Sequence, residues 1–117
     1  MNSLFDVSHV VEESTIQLRL SGRLDGITAP VFEKKLDELL TAGHRQLTMD
    51  CEQMVYVSSA GLRVFLSFAK KIKKTGGRMA LYNVPPVIHS VFEATGFVDF
   101  LNLCATREEA LAAVKIG

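Results

Sequence analysis

The sequence predicts one small α/β domain in which strands and helices alternate along the chain. Its 117 residues suit a single domain, 1–117, with a core that needs no disulfide. Segments of apolar and polar alternation are followed by segments of helical periodicity that end at glycines. Because parallel strands need long crossover connections, this order predicts a mixed sheet of about four to five strands with three to four packed helices.

The first part of the chain predicts two strands and a helix. Residues 3–11 and 15–21 show the period-two pattern of strands. Thr28 is placed to cap the helix that follows, Pro30 is tolerated in its first turn, and Gly43 ends it. The apolar stripe of this helix consists of Phe32, Leu36, Leu39 and Leu40.

The central part predicts a short strand over 45–50, continued by 55–57, and then a long helix over 59–75. On a helical wheel one arc is apolar and the other is mostly basic. The arc expected in the core contains Leu62, Phe65, Leu66, Ala69 and Ile72, with Phe68 beside it. The arc expected to face solvent contains Arg63, Ser67, Lys70 and Lys74.

The last part predicts a strand and two helices. The strand spans 78–84, and Pro85 and Pro86 open the first helix. The final helix begins at Thr106, which has capping-box spacing to Glu109.

Composition argues against several classes of function. Thirteen basic residues balance thirteen acidic ones, so no global field attracts nucleic acid or an anionic membrane. No apolar run is long enough for membrane insertion, and the first residues lack a secretory signal, so a cytoplasmic location is expected. Two isolated cysteines and three scattered histidines lack metal-binding spacing.

Catalysis is not expected either. The chain has neither a GxxxxGK loop nor a GxGxxG motif after a strand, so no cofactor or nucleotide site is predicted. A nucleophilic role for Ser59 would need a base and an oxyanion hole, yet its surroundings are not GxSxG. We therefore predict a protein that is not an enzyme.

Three segments together resemble a known family. They are GRLDGITA at 22–29, LTMDCEQMVYVSSAGLRVFL at 47–66 and RMALYNVPPVIHSVFEATGF at 78–97. They resemble the domain shared by sulfate transporters and anti-sigma-factor antagonists, called STAS. The run Tyr-Val-Ser-Ser-Ala-Gly-Leu at 56–62 is similar to the phosphorylation loop that precedes the long helix of that family.

The resemblance implies roles for individual residues. Ser59 falls on the position of the phosphoacceptor, and Gly61 and Leu62 fall on the helix start. Asp25 falls on an acidic loop position that lies close to the acceptor in such domains. Turn formation beside Gly26 is the alternative role for Asp25.

Two positions depart from the family pattern. Ser58 stands where an aspartate is usual, and Arg63 stands where many relatives have glycine. Serine is a preferred N-cap residue, so capping of the helix is the alternative role for Ser58 and Ser59, and it is the role expected of Ser58. Arg63 with the other basic residues of the helix also suits a solvated face.

The family resemblance implies a function in partner switching. The unphosphorylated domain would bind a serine-kinase anti-sigma factor and free the sigma factor, and phosphorylation of Ser59 would end that complex. A serine phosphatase would restore it, while ATP and magnesium would belong to the kinase. A monomer or weak dimer is expected. The alternative is a scaffold or subunit of a lipid-transport or stress-signalling assembly, in which Ser59 is not modified.

Overall fold

A computed structural model describes residues 4–96 and 98–116 as one five-stranded mixed sheet with helices on both faces. The strands are β1 (Phe5–Glu12), β2 (Thr15–Leu24), β3 (Gln46–Val57), β4 (Arg78–Tyr82) and β5 (Leu103–Cys104). The helices are α1 (Ala29–Thr41), α2 (Ser59–Lys74), α3 (Pro86–Ala94), α4 (Val98–Leu101) and α5 (Arg107–Val114). The predicted architecture is confirmed. The one-turn helix α4 and the two-residue strand β5 were not predicted.

The sheet follows chain order, from β1 at one edge to β5 at the other. β1 and β2 pair antiparallel through a two-residue turn, in which Glu13 has a φ of 56°. The other three neighbouring pairs are parallel, as the alternation of strands and helices predicts. Residue 3, where the first predicted strand begins, lies outside the described residues.

Alternate residues of the strands face two different layers. Ile16, Leu18 and Leu47 belong to the main core, together with buried residues of α1, α2 and α3. Ala80 and Tyr82 point the other way and pack with residues of α5. Four phenylalanines in edge-to-face contact form a row through the main core that links β1, α1, α2 and α3. They are, in order, Phe5, Phe32, Phe65 and Phe92, and the centroids of successive rings are 5.6, 5.1 and 5.4 Å apart.

Two sequence predictions need correction. The buried face of α2 includes Val64 and Phe68, while Leu62 and Leu66 are only half-buried at its margin. The core side is therefore rotated by about 60° from the predicted arc, because α2 packs beside α1 as well as over the sheet. Arg63 and Lys70 are exposed, as predicted.

The second correction concerns β3, which is one continuous strand rather than two pieces. Residues 47–50 pair with both β2 and β4, whereas Gln53, Met54, Tyr56 and Val57 pair with β2 only. β3 thus extends beyond β4 and delivers the start of α2 next to the end of β2.

Candidate functional site at the start of helix α2

Ser58 is the N-cap of α2. Its backbone is extended, with φ −92° and ψ 175°, and its side-chain oxygen accepts a hydrogen bond from Gly61 N at 3.2 Å. Its carbonyl oxygen accepts from Leu62 N at 2.8 Å, which is the first bond of the helix. This geometry confirms the capping role of Ser58 and takes up one of the amides that a helix start leaves without a partner.

Ser59 is the first residue of α2, and its side chain is exposed. The helix has no acidic residue in its first turn and three lysines in its last turn. The N-capping hydrogen bond is made by the Ser58 side chain, so capping of α2 does not require the Ser59 hydroxyl. The positive end of the helix dipole therefore lies beside an accessible hydroxyl.

Gly61 lets the start of α2 touch the end of β2. A Cβ atom at this position would lie 2.7 Å from Leu24 Cγ and 2.8 Å from Leu24 O. The same Leu24 carbonyl accepts a hydrogen bond from Ser58 N at 2.9 Å. Only a residue without a side chain fits this approach unless neighbouring atoms shift, so Gly61 couples the start of α2 to the end of β2.

Asp25 follows Leu24 directly and organises the turn before α1. Its Oδ1 accepts hydrogen bonds from Ile27 N at 3.0 Å and Thr28 N at 3.1 Å. The two backbone amides, that of Thr28 first, hold the pKa of Asp25 below its usual range. The turn-forming role of Asp25 is confirmed, and its neighbour Leu24 brings the turn next to Ser58.

Thr28 differs from its predicted role. It occupies the N-cap position of α1 but makes no side-chain capping bond to that helix. Its hydroxyl instead accepts from Asp25 N at 2.9 Å and donates to Arg23 O at 2.8 Å. Asp25 and Thr28 thus exchange hydrogen bonds, which closes residues 25–28 into a fixed turn.

The remaining predicted site residues, Leu62 and Arg63, follow Ser59 along α2. Leu62 is half-buried and packs against the core, whereas Arg63 is exposed one helical turn after Ser59. Residues separated by four positions lie on the same face of a helix. The side chains of Ser59 and Arg63 therefore project from the same part of the surface.

Sequence reasoning missed the exposed apolar side chains at this end of the molecule. Ile27 is 79% exposed in the turn, and Tyr56, at 40%, lies under Arg23 with 4.3 Å between the guanidinium carbon and the ring centroid. We call residues 25–28, 55–57 and 59–63 together the acceptor end. An isoleucine within a Gly-Ile-Thr turn is the signal that could have revealed this surface.

The acceptor end exposes groups of three kinds. In the described ranges, 4–96 and 98–116, no cluster of three His, Cys, Asp or Glu side chains could hold a metal ion. What it offers is an exposed hydroxyl, a helix start and a rim of apolar side chains, which suits a protein interface.

The sequence matches the STAS domain family over residues 6–110. The chain belongs to the STAS domain family. Among curated relatives of this STAS protein, BtrV of Bordetella bronchiseptica is 34% identical over 96 residues, covering 82% of this chain and 83% of BtrV. The anti-sigma-B factor antagonist of Bacillus subtilis is 33% identical over 108 residues, covering 92% of this chain and 96% of the relative.

Solved structures agree with the membership. The anti-sigma factor antagonist SpoIIAA in its unphosphorylated form is 25% identical to this STAS domain, with a TM-score of 0.75 and 92% of each chain covered. The phosphorylated form of the Bacillus cell fate determinant SpoIIAA is also 25% identical, with a TM-score of 0.70 and coverage of 92% of this chain and 96% of SpoIIAA. Both forms of that relative therefore share the fold described above.

None of the helices in the described part of this STAS domain is both long and apolar enough to cross a membrane.

Proposed function

We propose that this protein is an anti-sigma-factor antagonist controlled by phosphorylation of Ser59. In this proposal the unphosphorylated domain binds a serine-kinase anti-sigma factor in the cytoplasm and releases the sigma factor. The kinase then transfers the γ-phosphoryl group of its own ATP to Ser59 Oγ, ADP leaves, and the complex ends. A serine phosphatase reverses the modification. The domain itself contributes no catalysis and no cofactor.

The observation that carries this proposal is that two adjacent serines have different structural roles. Ser58 holds the helix cap through its bond to Gly61 N, while Ser59 is exposed at the first helical position. A kinase can therefore modify Ser59 without breaking the hydrogen bond that starts α2. We infer that the modified and unmodified domains have the same fold and differ at their surface.

The surroundings of Ser59 suit a phosphate. The helix start supplies backbone N–H groups and the positive end of the dipole, and no carboxylate lies in the first turn. Arg63, one turn later on the same face, is within the spacing that allows a charge-assisted hydrogen bond to the phosphate. The glycine that many relatives have at this position cannot supply that partner.

The same modification would weaken the proposed interface. Ile27 and Tyr56 give the acceptor end exposed apolar area, which a partner covers by excluding water. A phosphate at Ser59 brings about −1.5 to −2 charges at pH 7, and a partner surface matched to a hydroxyl would have to desolvate them. The relatives named above support the general role, since two of them are anti-sigma factor antagonists.

The direct test is a titration of purified variants with the anti-sigma kinase. Ser59→Ala should bind persistently in the presence of ATP, and Ser59→Asp should bind more weakly than the wild type. Ser90→Asp is the matched control, because Ser90 is also an exposed helical serine but lies on α3. Equal affinities of wild type, Ser59→Ala and Ser59→Asp, or phosphate found on Ser58 after kinase treatment, would refute the assignment.

A second arm tests whether Asp25 also orients the Ser59 hydroxyl. Asp25→Asn keeps a side-chain oxygen that can accept the hydrogen bonds of the turn, whereas Asp25→Ala removes it. If the carboxylate acts on Ser59, Asp25→Asn should slow phosphorylation while its thermal melt stays close to the wild type. Phosphorylation of Asp25→Asn at the wild-type rate would confine Asp25 to its structural role.

A third arm tests Arg63 as the phosphate partner. The second pKa of phosphoserine, followed by phosphorus NMR, should be lower in the wild type than in Arg63→Gln, because the guanidinium favours the dianion. Lys70→Gln, which removes an exposed positive charge further along α2, is the control. Identical phosphoserine pKa values in wild type and Arg63→Gln would exclude the contact.

A further inference from the structure

The two edges of the sheet differ in how they are protected. β5 has two residues, which leaves little edge to pair with another chain. β1 has eight residues, and its register with β2 is unbroken along all of them. It contains no lysine, arginine or proline, the residues that usually block an edge. Among the described residues no other strand pairs with the outer side of β1.

Both ends of the hairpin show which main-chain groups of β1 face outward. At one end a two-residue turn closes on the pair Glu12 and Thr15, and at the other end Arg23 N donates to Leu4 O. Hydrogen-bonded pairs alternate in antiparallel ladders, so even-numbered residues of β1 bond to β2. The N–H and C=O groups of His9 and Val11 therefore point to the free edge.

Two adjacent valines make this edge apolar on both faces. Val10 is 62% exposed and Val11 is 57% exposed. Val10 lies opposite Gln17 on the face that carries Arg19, and Val11 lies opposite the buried Ile16 on the other face. A strand added to this edge would cover one valine on each face.

We propose that this edge binds β1 of a second copy of the chain, antiparallel, about a two-fold axis at Val10. Val10 then lies opposite the second copy's Val10, and His9 lies opposite its Val11. His9 of each copy exchanges main-chain hydrogen bonds with Val11 of the other copy, and the two sheets join into one. The interface is self-complementary, as a two-fold dimer requires.

Charge complementarity selects this register. Ser8 lies opposite the second copy's Glu12 and beside Arg19 of its own sheet. Because serine is short, Arg19 can reach across it to that carboxylate, and the symmetry repeats the pair. The Arg19 side chain is 71% exposed, and its contact with Asp50 is long, at 3.9 Å. It is therefore available for a second partner.

The neighbouring registers are less favourable. An axis at His9 would place Asp6 directly opposite the second copy's Glu12, which sets like charges against each other. An axis at Val11 would place Val10 opposite the second copy's Glu12, and an axis at Ser8 would place Val10 opposite its Asp6. Each of these covers an apolar side chain with a carboxylate. The pattern of valines and charges thus favours the axis at Val10.

The interface lies away from the acceptor end. Residues 8–12 pair with the first half of β2, whereas Ser58 and Ser59 lie beyond the last residue of β2. Both copies keep Ser59 accessible, and the proposal does not depend on phosphorylation.

The first test measures association of the full chain by sedimentation velocity over a range of concentrations. The wild type should show a dimer that dissociates on dilution, and Val10→Lys should raise the dimer Kd at least about tenfold, because two lysines would lie opposite each other. Val87→Lys is the matched control, since Val87 is 65% exposed on α3 and should leave the Kd unchanged. A chain that is monomeric at every concentration, or a dimer unaffected by Val10→Lys, would overturn the proposal.

The second test fixes the register by disulfide trapping in a Cys104→Ser background. Val10 and its counterpart form a non-hydrogen-bonded pair with Cα atoms about 4.5 Å apart, which suits a disulfide. Val10→Cys should therefore cross-link under mild oxidation. Ser8→Cys should not, because its counterpart lies four residues along the strand. Cross-linking of Ser8→Cys with none of Val10→Cys would contradict the proposed axis.

Discussion

Replacement of Gly61 by alanine tests the contact that joins the start of α2 to the end of β2. The added Cβ would lie 2.8 Å from Leu24 O and 2.7 Å from Leu24 Cγ. The leucine side chain can rotate, but the carbonyl is fixed by β2 and by its bond from Ser58 N. Something in the main chain must therefore move.

Two opposing effects decide the magnitude. Alanine is favoured over glycine in a helix by about 1 kcal/mol. Overpacking against a fixed atom costs about 1–3 kcal/mol, and the first turn of a helix gains less than the full propensity term. We expect a net loss of about 1–2 kcal/mol in the free energy of unfolding, which corresponds to a fall of about 4–8 °C in Tm.

The assay is chemical denaturation followed by far-ultraviolet circular dichroism. Gly26→Ala is the control, because a Cβ at Gly26 would have no atom within 4 Å. It should change the free energy of unfolding by less than about 0.5 kcal/mol. If Gly61→Ala is as stable as the wild type, the close approach of α2 to Leu24 is not a constraint on this position.

Three further predictions concern buried and charged groups elsewhere. Thr48 Oγ1 is buried and has no hydrogen-bond partner in the described part of the chain. Thr48→Val should therefore raise the free energy of unfolding, measured by urea denaturation, by about 1 kcal/mol. Thr15→Val should lower it, because it removes the 3.0 Å hydrogen bond from Gln46 Nε2 to Thr15 Oγ1. Burial raises the pKa of the Cys51 thiol, so Cys104 should react with a disulfide reagent in the folded protein and Cys51 only on unfolding; simultaneous modification of both would contradict this. Two main-chain amides lower the pKa of Asp25, so its ionised form stabilises the fold fully above about pH 4 and loses this effect as pH falls through the folded pKa. The stability difference between wild type and Asp25→Asn should shrink over that fall, and a difference that is constant with pH would argue against the amide contacts.

The long helix could be predicted from sequence because its signals are local. Ser58 at the cap, the apolar periodicity and Gly76 with φ of 81° after the last turn all act within a few residues. The exact core arc could not be predicted in the same way. Val64 is buried because α1 packs beside α2, and that contact depends on residues far away in sequence.

The sheet shows the same division between local and distant causes. The polar residues in the middle of β3 interrupt its apolar pattern, which suggested two strands, yet pairing with β2 keeps it continuous. The similarity of residues 56–62 to the family's phosphorylation loop drew attention to the start of α2, but the exposure of Ile27 and Tyr56 depends on the ends of β2 and β3 lying side by side. Surface neighbours of this kind are set by register, which one sequence does not specify.

The position of Tyr56 under Arg23 has an optical consequence. The chain has two tyrosines and no tryptophan, so its ultraviolet emission comes from two phenol rings. Tyr82 is buried beneath α5, whereas Tyr56 is exposed at the acceptor end. Anything that docks there, or moves the guanidinium off the ring, changes the surroundings of one fluorophore and leaves the other as an internal reference. The fluorescence of Tyr56 in the unlabelled protein therefore reports binding or modification near Ser59, and Tyr56→Phe removes this signal.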